Sequence, residues 1–91
     1  MTEPLRATEA KERIRRFLVE GAIRYTQHAL DEMDDLTFED CENVFRGGVV
    51  DEAEWENGNW RHRVRTTRMV FVVQFEAELG LLVITGWRKA R

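Results

Sequence analysis

A chain of 91 residues is long enough for one small domain, here 1–91, and too short for two. Its 43% hydrophobic content and single proline exclude low-complexity disorder, and its one cysteine, Cys41, excludes an internal disulfide and a multi-cysteine metal site. The net charge of −3 is unevenly divided, because residues 1–56 carry 7 Lys and Arg against 15 Asp and Glu while residues 57–91 carry 7 against 2. Such asymmetry suggests an anionic partner for the C-terminal part, and a shielding role or a cationic partner for the acidic part. The plainer alternative is that the two parts meet across the fold. No apolar leader opens the chain and no run of about 18 apolar residues occurs, so secretion and membrane spanning are not expected and a reducing cytoplasm is.

Residues 1–7 are expected to be loose. From about Thr8, a plausible N-cap, the spacing of Ala10, Ile14, Phe17 and Leu18 predicts a helix that stops at Gly21. Residues 22–25 suit a very short strand. Thr26 then caps a second helix in which Ala29, Leu30 and Met33 share a face and His28 falls in the first turn. Thr37 and Asp40 resemble a capping box opening a third helix, with Phe38, Cys41, Val44 and Phe45 as its stripe and Gly47-Gly48 as its close. An acidic strand is predicted over 49–55, and Asn57-Gly58-Asn59 is a hairpin turn into Trp60. In 60–66 the residues Trp60, His62, Val64 and Thr66 alternate with Arg61, Arg63 and Arg65, the period of a strand with one arginine face. The nearly unbroken apolar run 69–75 reads as a central strand, and 81–87 as the last strand before a basic tail over 88–91. Helices followed by strands joined by short turns make the class α+β, with N-terminal helices packed on one face of a mainly antiparallel four-stranded sheet. The other face is left free to bind.

Several residues carry chemistry. His28 suits proton transfer near neutrality, or is a surface histidine near a helix cap. His62 lies on the opposite face from its flanking arginines and reads as a partly buried structural residue. Arg61, Arg63, Arg65, Arg68, Arg88 and Lys89 are candidates to line a groove for RNA phosphates, since guanidinium is a permanent charge with a planar fork of donors. Trp55, Trp60 and Trp87 would offer stacking surfaces for bases. Alternatively the arginines pair with the acidic strand and the face is merely solvated. Tyr25 is a catalytic phenol or a packed aromatic. The carboxylates of 31–56 form a solvated face or a dock for a basic partner. Two histidines and one cysteine far apart give no metal site.

The run Ile23-Arg24-Tyr25-Thr26-Gln27-His28-Ala29-Leu30, followed by Met33, Leu36-Thr37-Phe38, the Gly47 stop and the C-terminal strands, resembles small bacterial toxins of the RelE-like superfamily. It is similar to the BrnT-like toxins with a His-Ala-x-x-Arg-Met motif, and Gly21-Ala22-Ile23-Arg24-Tyr25-Thr26 resembles a segment of MqsR-type mRNA interferases. The resemblance covers about residues 10–90. It implies a metal-independent, cofactor-free endoribonuclease that cuts mRNA, often on the ribosome, through the RNA's own 2′-hydroxyl, and is inhibited by a cognate antitoxin protein. His28 matches the family histidine, whereas Glu32 stands where the motif has arginine. The MqsR-type lysine, glutamine and tyrosine have no counterparts, leaving Arg61 and Arg63 as positional candidates for catalysis beside His28. Arg65, Arg68, Trp87, Arg88 and Lys89 are the expected RNA-binding set. The alternative is a non-catalytic module that docks a protein on the same sheet.

Overall fold

The structure, a computed structural model, describes residues 4–77 and 79–89. Residues 1–3 of the expected loose start, and Ala90 and Arg91 of the basic tail, lie outside them. In chain order the elements are α1 (Ala7–Glu20), β1 (Ile23–Tyr25), α2 (Gln27–Glu32), α3 (Phe38–Gly47), β2 (Val49–Val50), β3 (Glu54–Glu56), β4 (Asn59–Arg65), β5 (Met69–Phe75) and β6 (Leu81–Arg88). The apolar run of β5 takes the middle of the sheet, whose order is β1-β6-β5-β4-β2, with β3 also paired to β4. The fold is α+β, but the sheet is a mixed one of six strands rather than the expected mainly antiparallel one of four. The short strand before Thr26 pairs parallel to β6, Ile23 with Leu81 and Tyr25 with Val83, so the chain's early and late parts share one sheet.

One face of the sheet is apolar and covered by helices. Val64, Phe71, Val73, Leu81 and Val83 meet Ala10, Ile14 and Phe17 of α1, Ala29 of α2, and Cys41, Val44 and Phe45 of α3. The rings of Phe45 and Phe71 sit edge to face at 5.8 Å between centroids. Phe71 also packs against Gly86, where any Cβ would overlap its ring. Replacing Gly86 by alanine should therefore cost about 1–3 kcal/mol in denaturant unfolding, as overpacking does, and a second change, Phe71→Leu, should recover part of that loss.

The expected strand over 49–55 is interrupted by a bulge. Val50 pairs with Val64, but Glu54 pairs with Arg61, so β2–β3 carries one residue more than its partner between those points. A one-residue insertion reverses which side chains face the helices. Glu52 therefore turns towards α1, whereas Glu54 and Glu56 share the open face with Arg61 and Arg63.

That bulge also caps the first helix. Thr8 is not the N-cap: the helix starts at Ala7, Arg6 holds the cap position without a side-chain bond, and Ala7 N–H donates to Glu52 Oε1 at 3.1 Å. The Arg6 side chain caps no helix amide, but its Nε donates to the same Glu52 oxygen at 3.3 Å, and Leu5 carbonyl accepts from His62 Nε2 at 3.0 Å, so the chain is pinned from Leu5 onward. The hydrogen bond from the Ala7 amide, then Arg6, hold the Glu52 carboxyl below its usual range. A carboxyl lowered by folding stabilises the fold above its unfolded titration and loses that contribution as pH falls through the folded value. Glu52→Gln should therefore lower the melting temperature at pH 7 and match wild type at strongly acidic pH, which a pH series of thermal melts would check.

Candidate functional site

The open face of the sheet carries a cleft of about 490 Å³ lined by Thr26, His28, Glu56, Asn57, Arg61, Arg63, Val72, Ile84, Thr85 and Trp87. Its placement follows from a second bulge. Val72 pairs with Thr85 and Val73 with Val83, which leaves Ile84 as the extra residue of β6. In a regular strand successive carbonyls point to opposite sides; here Val83 O accepts from Thr26 N at 3.0 Å and Ile84 O accepts from Thr26 Oγ1 at 3.1 Å. The same hydroxyl accepts from Ala29 N at 2.9 Å, capping α2 as its sequence predicts. Thr26 thus clamps the start of α2 against β6, and His28, the second residue of that helix, stands at the cleft's edge.

His28 is well exposed, with 63% of its side chain accessible, and its Nε2 lies 3.9 Å from Glu32 Oε1 one turn on. Glu32, in the place of the motif's arginine, is thus an anionic neighbour for the imidazole. Across the cleft, Arg61 donates from Nε to Gln74 Oε1 at 3.4 Å and meets no carboxylate among the described residues. Arg63 lies between Glu54 and Glu56, its Nε 3.6 Å from Glu54 Oε1 and its terminal nitrogen 3.6 Å from Glu56 Oε2. Its Nε is buried and has no hydrogen-bond partner. The guanidinium also sits 5.8 Å from the centre of the Trp87 ring, which is 39% exposed. Two adjacent arginines and an exposed aromatic ring thus line one cleft, and guanidinium and aromatic groups are of the kind that receive a phosphate with its base.

The other predicted RNA-binding residues do not join this cleft. Arg65 forms a two-point bond to Asp51, with Nε to Oδ2 at 2.9 Å and a terminal nitrogen to Oδ1 at 3.0 Å, and that hydrogen bond raises its already high pKa. Arg88 faces the helices, where Asp35 Oδ2 is 3.2 Å and Asp40 Oδ2 3.7 Å away. It does not line the expected groove, because the Ile84 bulge reverses the alternation, turning Trp87 outward and Arg88 inward. Arg68 is exposed in the β4–β5 turn, and Lys89 lies with Arg65, Thr66 and Thr67 along a separate cleft of about 350 Å³. Trp60 packs edge to face on Trp55 at 5.1 Å and borders a third cleft with His62. His62 is 1% exposed, a structural side chain. Tyr25 packs on Phe38 with the rings tilted, 4.7 Å between centroids; burial, then Cys41, raise its pKa, and burial pushes the Cys41 thiol up to about 12.

Sequence reading did not bring Thr26, Thr85, Asn57 and Glu56 together with His28 in the lining of one cleft. For Glu56 a signal existed, since a two-residue Asn57-Gly58 turn pairs Glu56 with Asn59 and so puts it on the face of Arg61 and Arg63. Among the described residues no His, Cys, Asp and Glu side chains are gathered in a group that could hold a metal ion, and no helix is long and apolar enough to cross a membrane. The chain matches no family model, no curated protein and no solved structure.

The pairings separate structural from free arginines. On the expectation that the cleft takes RNA, Arg88→Gln should lower the melting temperature and leave RNA affinity unchanged, whereas Arg61→Gln should leave melting unchanged, weaken RNA binding and reduce the slope of log affinity against log salt by roughly 1. Fluorescence-anisotropy titrations at several salt concentrations, alongside melts, read both.

Proposed function

We propose that this protein is the toxin of a bacterial toxin–antitoxin pair, a RelE-like, metal-independent endoribonuclease that acts on mRNA in the cytoplasm and is inhibited by a cognate antitoxin protein. The observation that carries this reading is the convergence of His28, Arg61, Arg63 and Trp87, from three separate elements, around one cleft on the helix-free face. Cleavage of this kind takes its nucleophile from the RNA itself, so no cofactor is called on. O2′ attacks the adjacent phosphorus, the P–O5′ bond breaks, and a 2′,3′-cyclic phosphate and a 5′-hydroxyl result. Arg61 and Arg63 offset the charge that grows on the phosphoryl oxygens, Trp87 stacks a flanking base, and His28 moves a proton.

A second reading, a non-catalytic module docking a protein on the same face, draws on the carboxylates already beside Arg63 and on Glu32 beside His28. Incubating purified protein with RNA in a chelator separates the two. The endoribonuclease reading expects cyclic-phosphate ends, growth arrest on expression in bacteria, and a loss of about 10²- to 10⁴-fold in turnover for His28→Ala with RNA affinity kept. Intact RNA and normal growth would favour the docking module.

A further inference from the structure

We infer that Glu56 is a catalytic residue of this cleft, the base that takes the 2′-hydroxyl proton, with His28 as the acid; this rests on the endoribonuclease reading above. The order of elements across the sheet carries the assignment. From one wall to the other run β3 with Glu56, β4 with Arg61 and Arg63, β5 with Val72, β6 with Thr85 and Trp87, and finally α2 with His28. Neighbouring strands lie about 4.8 Å apart, so the four spacings from β3 across three intervening strands to α2 hold the two walls apart by on the order of 20 Å between backbones.

An in-line displacement sets the entering O2′ and the departing O5′ on opposite sides of phosphorus. A proton-transfer group must come within about 3 Å of each oxygen, and one side chain fixed at one wall cannot serve both. Two groups on opposite walls with cations between them meet the requirement, and that is the arrangement here. Glu56 is the one carboxylate among the described residues that lines the cleft. Glu32 is on the same helix as His28, 3.9 Å from the imidazole, and so belongs to the same side as His28. Glu54 also approaches Arg63 but does not line the cleft.

The step balances with these residues alone. The Glu56 carboxylate accepts the proton of the 2′-hydroxyl as the O2′–P bond forms; the P–O5′ bond breaks, and the His28 imidazolium gives its proton to O5′. The protein is left with a protonated Glu56 and a neutral His28, and exchange with water restores both.

The assignment is tested by single-turnover cleavage of a short RNA in two forms, one with the natural oxygen at the 5′ bridging position and one with sulfur there. A thiolate leaves without needing a proton, so the sulfur substrate bypasses the acid but still needs the base. Glu56→Gln should lose about 100-fold or more in rate on both substrates with KM unchanged, and Glu56→Asp should keep part of the activity. His28→Ala should lose as much on the oxygen substrate and return close to the wild-type rate on the sulfur one. The assignment is overturned if Glu56→Gln cuts both at the wild-type rate, if only its KM rises, or if sulfur rescues it. Wild-type protein that cuts neither substrate overturns the endoribonuclease reading itself, a separate outcome from these.

Discussion

Thr26 ties the N-terminal segment to the C-terminal strand through two successive carbonyls, Val83 O at 3.0 Å and Ile84 O at 3.1 Å. Only a bulged strand presents consecutive carbonyls to one side, so the irregularity in β6 and the switch from β1 to α2 are two halves of one feature. The clamp lets three residues of parallel strand pass directly into a helix along the same edge. Without it His28 would have no fixed relation to Arg61 and Arg63 of β4, which lie 33 and 35 residues further on in the sequence.

The two bulges together decide which charges face the open side. The one between Val50 and Glu54 brings Glu54 and Glu56 onto the arginine face and sends Glu52 to cap α1; the one at Ile84 brings Trp87 out and sends Arg88 to Asp35 and Asp40. The uneven charge of the chain is thereby largely resolved inside the fold. Most of the stripe is neutralised by the acidic part, Arg65 by Asp51 and Arg63 in part by Glu54 and Glu56. Arg61 meets no carboxylate among the described residues. The cationic character of the open face is thus narrow and centred on one cleft rather than spread along a groove. Such a surface suits recognition of a single phosphodiester more than long-range attraction of a polyanion.

Regular elements were legible in the sequence wherever local chemistry decides them. The period-two arginines of β4, the apolar run of β5, the Asn57-Gly58 turn with both residues at positive φ, the Thr37–Asp40 capping box and the left-handed Gly21 all stand where residue type alone puts them. What was not legible depends on partners distant in sequence. The cap of α1 comes from Glu52, some 45 residues on, and no local pattern points to it. Parallel pairing of β1 follows from a backbone ladder that three residues cannot announce. The face of Arg88 depends on a bulge that simple alternation does not contain, so counting by twos along β6 puts it on the wrong side. His28, Arg61, Arg63 and Trp87 were each legible as chemistry, and their convergence was not, because it depends on strand order and both bulges.

The central claim is that the helix-free cleft receives an RNA phosphodiester, and amide and indole chemical shifts of the labelled protein test it most directly. The titrant would be a short RNA carrying a single 2′-deoxy sugar at the scissile position, which binds without being cut. The account predicts that shifts gather at His28, Arg61, Arg63, Thr85 and the Trp87 indole, and shrink as salt rises. Shifts confined to the Trp60–His62 cleft or to the acidic helices, with the Trp87 indole unmoved, would contradict it.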